Sequence, residues 1–157
     1  MNVLFLDYDG VVNTPMWNNK GTNYGFGFPE DGKVNNFQCV QWVSEFCKKY
    51  DFAIVVTSTW RYLTPLYKEC LIYGGLREGI EIVGCTNINR REDRELEIAE
   101  YLELHEEIEK YMIFDDFDKF DVLNDHVVQC ETDLGFNKLK FEEAEMLYEK
   151  LYEQKNT

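Results

Sequence analysis

Two aspartates spaced two apart, Asp7 and Asp9, close the first apolar run of the chain, and an acidic pair, Asp115-Asp116, closes a later one. Between them a third apolar run, Phe52 to Val56, ends in the hydroxyls Thr57-Ser58-Thr59. Carboxylates brought together repel and raise one another's pKa unless a cation sits among them. An all-oxygen set of this kind suits Mg²⁺, which keeps several waters and accepts phosphate oxygens. Hydroxyl and backbone N–H groups of Thr57 and Ser58, at a strand-to-helix junction, are suited to phosphate oxygens. One cationic side chain completes such a pocket, and the stretch holding Arg90, Arg91 and Arg94 can supply it. One strand that stops at an Asp-Gly turn is unremarkable. Three polar endings of this sort are hard to attribute to turns.

The elements that must position these groups follow from periodicity. Val3 to Leu6 is an uninterrupted apolar run, the pattern of a strand buried on both faces of a parallel sheet. Phe52 to Val56, Ile80 to Gly84, Tyr111 to Phe114 and His126 to Cys130 read as four further strands. Helical spacing recurs from about Asn35 to Tyr50, Leu63 to Tyr73, the segment carrying Leu96, Ala99 and Leu102, and Phe141 to Tyr152. Strands alternating with helices imply right-handed crossovers and a three-layer α/β/α sandwich around a parallel sheet of about five strands. Ligands of open α/β sheets bind beyond the carboxyl ends of the strands, where the aspartates and hydroxyls fall.

A chain of 157 residues reads as a single domain, 1–157. A hydrophobic content of 45% and an aromatic content of 15% argue against disorder despite 29% charged residues. The formal net charge of −14 opposes partners bound mainly through a phosphate backbone, because no surplus of Lys and Arg displaces counterions. Five cysteines without a CxxC pattern read as free thiols in a reducing cytoplasm and as core filler. Without a leader or a run of the ~20 apolar residues that span a bilayer, a soluble cytoplasmic location with no membrane partner is expected. The stretch 14–34 lacks strong periodicity and holds Trp17, Tyr24, Phe26 and Phe28, which suits a flap over the mouth of the first strand.

The succession of apolar strand then Asp7-Tyr8-Asp9-Gly10-Val11, apolar strand then Thr57-Ser58, a basic residue opening a helix, and apolar strand then Asp115-Asp116 resembles the haloacid dehalogenase (HAD) superfamily. These motifs span residues 3 to 118. More narrowly, Val11-Val12-Asn13, Thr57-Ser58-Thr59-Trp60-Arg61, Arg94-x-x-Glu97-Ile98 and Ile113-Phe114-Asp115-Asp116 are similar to a small capless group that includes the HAD domains associated with RNA-repair proteins.

The resemblance implies a Rossmann-like fold and a Mg²⁺-dependent phosphomonoester hydrolase. Asp7 then matches the nucleophile that forms an aspartyl-phosphate, and Asp9 the general acid and base, whose backbone carbonyl also helps bind the metal. Asp115 matches the distal metal ligand, with Asp116 a ligand through water or a supporting partner. Thr57 matches the phosphate-binding hydroxyl, with Ser58 its rival. Arg94 matches the basic motif through its place ahead of Glu97-Ile98, Arg90 and Arg91 being the alternatives. His105, His126, Asp118 and Asp121 are given no chemistry. An acid at position 9 favours phosphoryl transfer to water over dehalogenation, since halide leaves unprotonated. Without a cap domain the site is open to a bulky or macromolecular phosphate. Two other readings stand beside the hydrolase: a non-catalytic phosphate-binding or regulatory module, and a polynucleotide-end phosphatase, for which the negative charge is unfavourable.

Overall fold

The computed structural model describes residues 1–14, 37–63, 65–88 and 93–154. Five parallel strands, β1 (Asn2–Leu6), β2 (Ala53–Val56), β3 (Ile82–Cys85), β4 (Lys110–Asp115) and β5 (Val127–Gln129), lie in the order β3-β2-β1-β4-β5. The helices are α1 (Phe37–Tyr50), α2 (Trp60–Leu63), α3 (Tyr67–Tyr73), α4 (Arg94–Leu104) and α5 (Lys138–Tyr148). This is the α/β architecture expected for a Rossmann-like HAD fold, with β1 at its centre. From β1 the chain moves outward through β2 and β3, then returns to place β4 on the other side of β1. The order therefore reverses between β1 and β4, the kind of switch point at which open α/β sheets bind ligands.

Side-chain alternation divides the core into two layers. Leu4, Leu6, Ile54, Val56, Met112, Phe114 and Val128 pack with Val40, Val43, Phe46 and Cys47 of α1, with Leu71 of α3 and with Ala144 and Tyr148 of α5. Val3, Phe5, Val55 and Ile113 face the other way, onto Ile98, Ala99 and Leu102 of α4 and onto Phe120 and Leu123. Both faces of the sheet are thus dry, which is why its central strands read as continuous apolar runs. Cys39, Cys47, Cys70 and Cys130 are buried in the first layer as free thiols, as expected of core filler, whereas Cys85 is only half-buried against it.

Differences from the sequence reading are local. The helix expected over Leu63–Tyr73 is α3, Tyr67–Tyr73, and the short α2 ends at Leu63, ahead of Pro65, whose missing N–H cannot continue a helical ladder. The third strand is Ile82–Cys85 rather than Ile80–Gly84, with a register irregularity opposite Ile54 and Val55. The last helix begins earlier, at Lys138, because Asn137 caps it by accepting from the Lys140 N–H at 3.0 Å. The expected flap at 14–34 falls, apart from Thr14, outside the described residues. Among those residues no helix is long and apolar enough to cross a membrane.

One buried cluster ties three elements together. Arg61, at the start of α2, donates through Nε to the Thr86 carbonyl at 3.0 Å and through Nη1 to the carbonyls of Thr57 and Ser58. Its Nη2 meets Glu97 of α4 at 2.9 Å, and the two side chains are 4% and 5% exposed. All four contacts are charge-assisted and shielded from water. Removing the arginine takes away the guanidinium partner of the buried Glu97 carboxylate, at a cost of about 3–5 kcal/mol for pairs of this type. Arg61→Ala is accordingly expected to lose at least ~3 kcal/mol in urea unfolding. An Arg61→Met/Glu97→Met double variant should lose less than the sum of the two single Met variants.

Candidate active site

The site forms where β1 and β4 end. The pairing of Leu6 with Phe114 in the ladder carries the next residues, Asp7 and Asp115, to the same edge, and Asp7 N–H still donates to the Phe114 carbonyl at 3.1 Å. Asp7 is 4% exposed and Asp115 0%. Carboxylate oxygens of Asp7, Asp115 and Asp116 lie within 4.8 Å of one another. Arg94, the first residue of α4, reaches in from the adjacent layer. Its Nη1 sits 2.8 and 3.0 Å from the two oxygens of Asp115 and 3.3 Å from Asp7 Oδ2. Asp93 positions that helix end by accepting from the Leu96 N–H at 3.2 Å.

Burial first, and the facing Asp115 second, push the Asp7 carboxyl well above the usual carboxylate range, while Arg94 pulls the other way. Burial likewise raises Asp115, against the pull of Arg94 and of the Phe117 N–H that donates to its Oδ1 at 3.0 Å. For Arg94, burial works against its charge, but Asp7 and Asp115 outweigh it and raise its pKa. One guanidinium faces three carboxylates, so the donor set is all-oxygen and short of positive charge. It fits a hard divalent cation.

Asp9 is held apart from that trio. Its Oδ1 accepts from Trp60 Nε1 at 3.0 Å and from Asn13 Nδ2 at 2.9 Å, and Oδ2 takes no part in these two bonds. Burial raises its pKa, and these two hydrogen bonds offset part of the rise. The intervening Tyr8 turns away into the core, where its hydroxyl donates to the Tyr67 carbonyl at 2.7 Å. The Tyr8 carbonyl accepts from the N–H groups of Val11, Val12 and Asn13 at 2.9–3.1 Å, folding the chain into a tight turn behind Asp9. Gly10, at φ +79°, is required there twice over: its conformation suits glycine, and a Cβ would lie 2.2 Å from Asp116 Oδ2. That same oxygen accepts from Thr132 Oγ1 at 2.9 Å.

At the end of β2 both Thr57 and Ser58 are buried, but they differ in what they have free. Ser58 Oγ accepts from the Trp60 N–H at 3.2 Å, whereas Thr57 Oγ1 has no hydrogen-bond partner among the described residues. The Thr57 N–H, offered by the sequence reading as a phosphate donor, is instead spent on the Leu6 carbonyl at 2.9 Å. Thr86, which follows β3, has a second buried hydroxyl without a partner.

The family model for the HAD domain in Swiss Army Knife RNA repair proteins matches residues 3–141. The chain belongs to that family. No curated protein and no solved structure matches it. Among the described residues, the segment between β2 and β3 carries the helices α2 and α3. Of the sequence-expected site residues, Asp7, Asp115, Asp116 and Arg94 come together; the Asp9 carboxylate is not among the three clustered carboxylates. Arg90 and Arg91 lie outside the described residues. Asp118 and Asp121 are exposed, as expected of loop surface. Sequence reasoning missed the work of Trp60, Asn13 and the Arg61–Glu97 pair. Their signal was present in the quoted motifs, since a tryptophan, an asparagine and an arginine beside strand ends are the donors a buried carboxylate or carbonyl needs.

The raised Asp7 pKa sets a pH dependence. The unfolded chain gives up this proton near ~3.9, whereas the native chain keeps it to higher pH. Stability therefore falls as pH rises from there through the native value. Asp7→Asn removes that loss. In metal-free buffer the variant is expected to melt ~2–4 °C above the wild type at pH 7, for a gain of about 1 kcal/mol, and level with it at pH 4. A wild type that melts higher at pH 7 would contradict the assignment.

Proposed function

We propose that this HAD domain is a Mg²⁺-dependent phosphomonoester hydrolase working through an aspartyl-phosphate. The observation that carries the reading is the meeting of Asp7, Asp115 and Asp116 within 4.8 Å beside Arg94, with Asp9 held separately by two donors. The carboxylates of Asp7, Asp115 and Asp116, with the backbone carbonyl of Asp9, would hold the Mg²⁺. When bound, the ion supplies the positive charge that lets an anionic nucleophile approach an anionic phosphate.

A carboxylate oxygen of Asp7 attacks phosphorus, and the bond from phosphorus to the leaving oxygen breaks. Asp9, whose pKa burial raises, serves as the general acid and gives a proton to the leaving oxygen. Asp9 then takes a proton from a water whose oxygen attacks phosphorus. The bond to Asp7 breaks, inorganic phosphate departs and both aspartates return to their starting states. Arg94 orients Asp7 and balances charge on the phosphate. Thr57 is the better phosphate-binding hydroxyl, since its oxygen is unpartnered while that of Ser58 caps Trp60.

A second reading, a polynucleotide-end phosphatase, is favoured by the description of the family, which places such domains in RNA repair proteins. The net charge of −14 weighs against tight grip on a phosphate backbone. A site that reads one phosphorylated end needs less of that grip than a protein tracking a strand.

Purified protein is expected to hydrolyse p-nitrophenyl phosphate with Mg²⁺ and to stop when EDTA is added. Asp7→Asn should fall to background, and Asp9→Asn should lose ~10²–10⁴-fold in kcat. Folded wild type with no metal-dependent turnover would leave only the non-catalytic, phosphate-binding module.

A further inference from the structure

Beside Arg94 lies a hollow of about 180 Å³ lined, among the described residues, by Thr59, Arg61, Tyr62, Ile88, Arg94 and Glu97. It is smaller than the ~300 Å³ at which pockets for whole drug-sized ligands begin, so it fits one ring-sized part of a ligand. Arg94 belongs both to this hollow and to the carboxylate cluster. A group seated here is therefore one side chain away from Asp7.

The lining is unusual for a protein surface with so much acid. Tyr62 is 46% exposed and Ile88 50% exposed, two large apolar side chains bordering one depression. The Arg61 guanidinium carbon lies 5.5 Å from the centroid of the Tyr62 ring. That arginine cannot swing away, because Thr86, Thr57, Ser58 and Glu97 hold it. Tyr62 is thus a ring backed by a fixed cation and still partly open to solvent, which is what a stacking platform requires. Among the described residues the charges of the hollow are already matched, Glu97 by Arg61 and Arg94 by Asp115 and Asp7, which suits an uncharged flat ring.

We propose that this hollow is a leaving-group subsite for the base of a nucleoside phosphate, with Tyr62 as the stacking wall and Ile88 as its apolar border. The inference rests on the phosphomonoesterase reading for the chemistry, and it names the class of alcohol released: a nucleoside or the terminal nucleotide of a strand. Tyr62 is a specificity-determining residue here, since it touches the base and not the reacting atoms.

The test compares adenosine 5′-monophosphate, adenosine 3′-monophosphate and β-glycerophosphate, which has no ring to stack. For the wild type, kcat/KM is expected to favour at least one adenosine phosphate. Tyr62→Ala should lower the ratio of that value to the β-glycerophosphate value by about 10- to 100-fold, the range for losing one base–aromatic stack. Tyr62→Phe should keep the ratio, and Ile88→Asp should lower it. In parallel, the Asp7→Asn protein is titrated calorimetrically with the same three compounds, with and without Tyr62→Ala. A wild type that turns over β-glycerophosphate with no adenosine preference, or a ratio unmoved by Tyr62→Ala, overturns the subsite and leaves the phosphatase standing. No turnover of any compound, with adenosine phosphate binding that depends on Tyr62, overturns the phosphatase and leaves the subsite standing. Absence of both turnover and Tyr62-dependent binding removes the two together.

Discussion

Of three carboxylates that would otherwise push apart, two are bridged by a single guanidinium. Arg94 touches both oxygens of Asp115 and one of Asp7, from the first turn of a helix that belongs to a different layer. Like charges in a low-dielectric place are among the more costly arrangements a fold can hold. Here the cost is concentrated where the sheet order reverses, the one edge at which two strand ends can face a common ligand. The cluster keeps more negative than positive charge, an imbalance that suits a hard divalent ion.

The surrounding structure holds that arrangement in place from several sides. Gly10 brings the turn after β1 so close to Asp116 that no side chain fits between them, and Thr132 fixes the same carboxylate oxygen. Trp60 and Asn13 hold Asp9 in one orientation through one of its two oxygens. Arg61 locks the segment after β2 to the loop after β3 and to α4, and thereby fixes Thr57, Trp60 and the helix that carries Arg94 relative to one another. Functional groups are precise when supporting residues leave them few alternatives. Much of this support comes from residues that never meet the phosphate in the proposed reaction.

How much of this was legible beforehand depends on the range of the interaction. The strands were readable because burial on both faces leaves an uninterrupted apolar run, as in Val3–Leu6 and Met112–Phe114. The convergence of Asp7 with Asp115 followed from parallel topology, which sends every strand end to one edge. Element boundaries near Pro65 and Asn137 shifted because a missing N–H and a capping side chain act over one or two residues, below the reach of periodicity. The choice between Thr57 and Ser58 was not legible, since both are buried and only the hydrogen bond to Trp60 separates them. Tyr62 and Ile88 gave no signal at all. Exposed apolar residues are common on protein surfaces, and only their meeting beside Arg94 sets these two apart.

The ladder between β1 and β4 has a consequence for how the chain must assemble. Leu6 pairs with Phe114, and the acids follow one step later on each strand. Sliding β4 by a single position would present Phe114 where Asp115 belongs and drive the carboxylate into the opposite, oily layer. A misaligned molecule would not linger as an intact copy, because the slip that parts the acids also ruins the packing. Correct packing and the meeting of the acids are thereby checked by the same pair of hydrogen-bonded strands.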